Sequence, residues 1–371
     1  MPSSLTFARR GRAALAGALA GAVLALAAVT TPAAAGVEPA RATAPAATAA
    51  GAGRPALDAL EPRRAARVRQ LIANPEDACL AVAAAAAPTA GPQATLAPAA
   101  GAQAALAPAA GALRASPVGA WLLDQAAARG VLICLDPTTP LAAYYHAQPR
   151  LIGVQASLPP AARTLYLAHE LAHVPQHPRY SNDRSFPLED LILMHRLREA
   201  TAEAIATRVL WQMRERGHAE PWRAKLRTGY GDIARAFAAA MAHAVADGRR
   251  AFDEELELHA TRAAFDQWFA SPLRLQQYDS HMLDHVERLA EDGLGPIAPR
   301  RRLSERFLAG IAWYAGASFL SAGAQPLTSA AYRAGLSSDN AARLAQVLRA
   351  GTGELAGDAA PAAADAAAPR P

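Results

Sequence analysis

Bulky apolar side chains are spaced for regular structure only in the middle of this chain. Val118 to Arg129 carries Trp121, Leu122 and Gln125 on successive turns and stops at Gly130, which predicts a helix. Val131 to Asp136 (VLICLD) is a short β-type run closed by Pro137, and Arg150 to Leu158 alternates loosely, so two strands are expected. Pro159-Pro160 stands where a helix starts and Pro175 where one stops, giving a helix from Ala161 to about Val174. A polar stretch, 176–186, follows. Pro187 then opens a long helix to about Arg216, ended by Gly217. Further helices are expected over about 221–247, 252–270 and 279–291, then a hinge at GLGPIAPRRR (293–302) and a helix from about Leu303 to Leu320. The class is α+β, predominantly helical, with a short β-sheet.

The pattern is lost on both sides of this block. Residues 1–35 hold Arg9, Arg10 and Arg12, an uncharged apolar run from Ala13 to Val29, and small residues at Ala33-Ala34-Ala35. This reads as an export signal, leading to a periplasmic or secreted protein, with a retained N-terminal anchor as the alternative. In 36–115 one short helix is expected from Arg63 to Ala73, ended by Asn74-Pro75. LAPAAGA occurs at 96–102 and again at 106–112 with nothing bulky to bury, so 84–113 reads as a linker or mobile insertion. The organisation expected is an export signal (1–35), an Ala/Pro/Gly-rich low-complexity region (36–115), a catalytic domain (116–295), a helical extension (296–350) and a disordered tail (351–371).

Composition sharpens this division. Alanine supplies 101 of the 371 residues, so the 52% hydrophobic share is largely methyl groups, and aromatics are only 6%. The formal charge of +5 includes the three arginines of the leader, which leaves no clustered basic face and argues against nucleic acid as a partner. Lys225 is the sole lysine. Cys79 and Cys134 allow one disulfide in an oxidising compartment, or two buried thiols; a free Cys79 thiolate could even cap a metal. Phe307 to Tyr332 is uncharged, but Gly310, Gly316, Gly323 and Pro326 shorten the apolar run, so a buried helix is preferred to a membrane span. Membrane association beyond the export signal is not expected.

The candidate chemistry lies at His169-Glu170-Leu171-Ala172-His173, an HExxH. On a helix, residues four apart are turned by only about 40°, so His169 and His173 project from one face and can hold one Zn²⁺. Glu170 lies about 100° round and can serve as general base toward a water whose pKa zinc lowers to about 7. A third ligand is needed. Arg179 stands where a third histidine of another HExxH class would fall, and His177 lies beyond Pro175. Glu199 and Glu203 share one face of the next long helix among Ala200, Ala202, Ala204 and Ile205, an unusual setting for carboxylates unless paired or metal-bound. Glu199 is the expected third ligand and Glu203 the acceptor behind a ligand imidazole. Asp183, Asp190 and His195 compete, and His195 could line the cleft. His281, Tyr278 and His285 are oxyanion candidates by residue type alone, and His281 with His285 repeats the four-residue spacing.

HExxH on one helix and a glutamate on the next long one resembles the gluzincin branch of zinc metallopeptidases. More narrowly, LYLAHELAH, REATAEAIA and AAFDQWFASPLRLQQYD (263–279) resemble a bacterial family of metallopeptidases of unknown function, over about residues 118–290. The resemblance implies a zincin-like core, His169, His173 and Glu199 as ligands, and Glu170 as the catalytic carboxylate. Thermolysin-like enzymes carry Asp at the position of Glu203. The expected function is an exported zinc metallopeptidase acting on a peptide or protein substrate. The alternatives are a zincin-like protein without peptidase activity, serving as a binding module or non-peptide hydrolase, and a membrane-associated scaffold.

Overall fold

The short β-type run at 131–136 and the looser alternation at 150–158 become neighbouring strands, and most of the helices assemble on one face of the sheet they form. The computed structural model describes residues 62–81, 101–176, 186–246, 253–291, 301–308, 310–320 and 326–353. The segment read as an export signal, residues 36–61 and 82–100 of the low-complexity region, most of the polar stretch with His177, Arg179 and Asp183, most of the hinge and the tail beyond 353 lie outside them.

In chain order, α1 (Pro62–Ala73) and α2 (Pro75–Ala78) lead to β1 (Cys79–Ala81). Then come α3 (Ala102–Leu113), α4 (Pro117–Ala128), β2 (Leu132–Asp136), β3 (Ala143–His146) and β4 (Leu151–Gln155). Two helices, α5 (Pro160–His173) and α6 (Leu188–Glu215), are followed by α7 (Glu220–Leu226), α8 (Gly231–Ala246), α9 (Glu254–Phe269) and α10 (Pro272–Glu291). The described chain closes with α11 (Glu305–Leu308), a hairpin of β5 (Trp313–Tyr314) and β6 (Ala317–Ser318), α12 (Ala330–Arg333) and α13 (Ser338–Gly353). The described residues are thus predominantly helical with a small mixed sheet, an α+β arrangement.

The sheet order is β1-β2-β4-β3, with β2 and β4 parallel and the outer strands antiparallel to their neighbours. Side chains alternate across it. Ile133, Ile152, Val154 and Tyr145 join the main core with α5, while Cys134, Leu151 and Tyr144 pack with Leu71 and Cys79 on the other face. A Cβ at Gly153 would fall 2.2 Å from the Tyr144 ring, so only glycine lets that ring lie across the strand. The helix α6 is buried on almost all sides from Asp190 to Met213, as expected of a central helix. Its alanines at 200, 202, 204 and 206 let neighbours approach closely. Two of its buried charges are paired across helices: Arg196 clasps Asp279 with two hydrogen bonds of 2.7 and 2.5 Å, and Arg208 meets Glu257 at 3.0 Å.

Several expectations are corrected. Within the stretch read as linker, Ala102–Leu113 is a helix whose Leu106, Ala109 and Leu113 enter the main core, and Arg163 donates to the Ala105 carbonyl at 2.7 Å. Cys79 and Cys134 face each other across β1 and β2 and form a disulfide, so neither is a free thiol and Cys79 caps no metal. The run expected over 221–247 breaks at 227–230, where Thr228 donates to the Lys225 carbonyl and accepts from the Tyr230 amide. The helix expected from Leu303 to Leu320 ends at Leu308. Positive φ at Ala315 (52°) and Gly316 (88°) makes a tight hairpin there instead. Among the described residues, no helix is long and apolar enough to cross a membrane.

Candidate metal centre

His169 and His173 project from the last turn and a half of α5, and α6 runs beside them. Both rings and Glu199 are at least 95% buried, so each polar atom must find a partner inside the protein. His169 Nδ1 donates to Glu203 Oε2 at 2.7 Å. His173 Nδ1 donates to Gln176 Oε1 at 2.8 Å, and the Gln176 amide is fixed because its Nε2 donates to the Arg198 carbonyl at 3.0 Å. With both Nδ1 atoms carrying protons, both Nε2 atoms present lone pairs, and these face each other at 3.2 Å.

Glu199 closes the triangle. One of its oxygens is 3.5 Å from His169 Nε2 and the other 3.6 Å from His173 Nε2. Two donor atoms each about 2.0–2.2 Å from a tetrahedral ion stand roughly 3.3 Å apart, so the set fits a metal ion without rearrangement. His169, His173 and Glu199 are the one group among the described residues whose ligand atoms could hold a metal, all within 4.8 Å of one another. Burial pushes the His173 ring down to about 4, keeping it neutral and able to ligate. Burial pushes the Glu199 carboxyl up, but the surrounding His173, His169 and His195 rings outweigh it and hold it well below the usual range.

The other expected residues fall around this triangle. Glu170 is buried on α5 between the two histidines. Glu203 does more than accept from His169: Lys225 Nζ is in direct contact with its other oxygen. That lysine is almost fully buried. Burial and the Arg274 charge press its ammonium toward neutrality, whereas the Asp232 carboxylate works the other way. His195 is buried one turn before Glu199, its Nδ1 4.0 Å from a Glu199 oxygen; it stands outside the three-donor set and burial pushes it down to about 3. Its ring lies 5.7 Å from that of Tyr278, and His281 lies 6.5 Å beyond. Tyr278 and Tyr230 meet at 3.0 Å between hydroxyls. Asp190 is removed from contention as a ligand, since it binds the Leu303 amide at 2.9 Å and Arg333 at 2.8 Å.

Reading the sequence did not single out Gln176, Tyr230 or Arg198, nor give Lys225 a role. A signal existed for Lys225: in a chain that otherwise uses arginine throughout, the one lysine is the residue placed against Glu203. Tyr166, Lys225 and Tyr230 line a small pocket that reaches His169. At the end of α5, the Tyr314 hydroxyl donates to the Ala172 carbonyl at 2.9 Å, tying the hairpin to the histidine helix.

Comparison with known proteins adds one finding. No curated protein and no solved structure matches the chain. A family model matches residues 55–308, which takes in α1, the disulfide and α3 as well as the buried triangle. With more than half its length so matched, the chain belongs to the family described as "Putative metallopeptidase family (DUF6782)".

Proposed function

We propose that this chain is an exported zinc metallopeptidase. The observation that carries the reading is the inward-facing triangle of His169 Nε2, His173 Nε2 and the Glu199 carboxylate, at 3.2, 3.5 and 3.6 Å, with both Nδ1 protons already committed elsewhere. Two imidazoles and a carboxylate are a donor set that suits zinc. Bound there, zinc would supply a Lewis acid that lowers the pKa of a water to about 7.

The chain's own residues do the rest. Glu170 takes the proton from the attacking water and passes it to the departing amine. Glu203, held by Lys225, keeps His169 protonated at Nδ1 and its ring aimed inward; Gln176 does the same for His173. His195 and Tyr278, buried with their rings 5.7 Å apart, would wall the site on the α10 side. The Cys79–Cys134 disulfide supports export, because such bonds persist in oxidising compartments.

The test is bound zinc and cleavage of a broad peptide mixture, for wild type and Glu170→Gln. The variant is expected to keep its metal and lose hydrolysis by about 10²–10⁴-fold. A wild type purified without metal, and unable to take up zinc, overturns the reading. Zinc binding with no chelator-sensitive peptide cleavage would leave the non-peptide alternatives. Sequencing the N-terminus of exported protein tests removal of residues 1–35.

A further inference from the structure

The buried cations of the described residues are Arg163, Arg196, Arg198, Arg208, Lys225 and Arg274. Five have partners. Arg196 and Arg208 meet Asp279 and Glu257, Arg274 meets Asp232 at 2.8 Å, Lys225 touches Glu203, and Arg163 donates to three carbonyls. Arg198 is the exception. It is 6% exposed, its Nε is shut off from solvent with no acceptor, and no described residue accepts a hydrogen bond from its guanidinium. A buried charge with no anion hydrogen-bonded to it is costly enough that proteins rarely keep one unless something binds it.

Its position says what that would be. Arg198 directly precedes Glu199, and its carbonyl anchors Gln176 behind His173. Its charge acts on His173 and His195, and Glu199, Tyr145 and Tyr314 are near enough to act on it in turn. Tyr145 belongs to β3, the edge strand of the sheet, and Tyr314 to the hairpin tied to Ala172. The guanidinium therefore lies where the histidine helix, the sheet edge and the hairpin converge. Tyr145 stays neutral, because burial pushes its hydroxyl up to about 12. Glu199, the nearest anion, is turned to the two histidines.

We propose that Arg198 anchors a subsite for a substrate carboxylate beside the metal centre, its planar fork pairing with the two carboxylate oxygens. This rests on the metallopeptidase reading and narrows it to peptides that carry a carboxylate next to the bond cut. The carboxylate is either the peptide's C-terminus or an acidic side chain.

The experiment measures binding rather than turnover, by ligand-detected NMR on zinc-loaded and metal-free protein. The probes are N-acetyl-Gly-Phe against its amide, and N-acetyl-Gly-Glu amide against N-acetyl-Gly-Gln amide. Wild type is expected to prefer the acid of one pair by about tenfold or more, and which pair shows it identifies the source of the carboxylate. In Arg198→Met the ratio falls to about one at unchanged zinc content. Arg198→Lys keeps the charge without the fork and retains part of the preference, and it serves if the methionine variant does not fold. The melting temperature separates this from a structural role: removing an unpaired buried charge raises it or leaves it unchanged. Equal binding of acid and amide by wild type overturns the subsite, as does a preference that survives Arg198→Met. So does a methionine variant that melts lower and is matched by Asp183→Asn, which would assign the charge to an internal ion pair. Acid preference in a protein that takes up no zinc keeps the subsite and rejects the metallopeptidase; zinc and cleavage without acid preference do the reverse.

Discussion

His169 and His173 on α5, and His281 and His285 on α10, share one spacing: four residues apart on a helix, with burial weighing against a charge on His173 and on both rings of the second pair. Their surroundings differ. Behind the first pair, Glu203 and Gln176 take both Nδ1 protons, and Glu199 waits in front. In the second, among the described residues, His281 Nδ1 and His285 Nε2 have no hydrogen-bond partner and no carboxylate completes a ligand set. Spacing puts two rings on one face of a helix; a metal site also needs acceptors that fix each tautomer and a second helix that delivers an anion.

The strongest way to break this comparison is to remove ligands. His169→Ala, His173→Ala or Glu199→Ala should each abolish zinc retention on dialysis, while His281→Ala and His285→Ala keep it, as read by elemental analysis. Zinc lost equally from both sets would erase the distinction. Next in size is the support: Glu203→Gln weakens the hold on His169 and should lower zinc affinity by roughly 10–100-fold in a competition titration with a chelating dye. An unchanged affinity would show that the ring needs no such partner.

Acid sharpens the comparison by treating the pairs alike. Burial holds His173 and His285 down to about 4 from the ordinary 6.5. Both rings are neutral in the fold, and the unfolded chain takes up their protons between those values. Metal-free protein therefore has their full contribution above about pH 6.5 and loses it as pH falls toward 4. Thermal melts at pH 7 and pH 5 should show the lower midpoint at pH 5, and His285→Gln should narrow the gap without moving the pH at which zinc is released. A higher midpoint at pH 5 would contradict the sign. The smallest effect is expected at Tyr314→Phe, where loss of the bond to the Ala172 carbonyl costs about 1 kcal/mol in denaturant unfolding.

How much of this could be read in advance follows from where the information is local. Pro160 and Pro175 bound the histidine helix in the sequence itself, and Glu199 betrays itself by its alanine neighbours. The Glu203–Lys225 contact spans 22 residues and two helices, so no spacing rule marks it. The strand Ala143–His146 is four residues long and gains its order from pairing with β4. Helix α3 was hidden by its repeat: LAPAAGA looks featureless until Leu106, Ala109 and Leu113 are set on one face with a core to enter. The hairpin at 313–318 turns on a positive φ at Ala315, which alanine does not announce.

The cross-link between Cys79 and Cys134 bears on how the molecule could mature. A protease cutting anywhere between Ala81 and Gly101 would sever the backbone yet leave residues 62–81 fastened to β2. The product would run as one band on a non-reducing gel and as two after reduction. Any maturation that discards the N-terminal part by proteolysis alone must therefore cut upstream of Cys79, and the strand that borders the sheet stays with the rest of the fold.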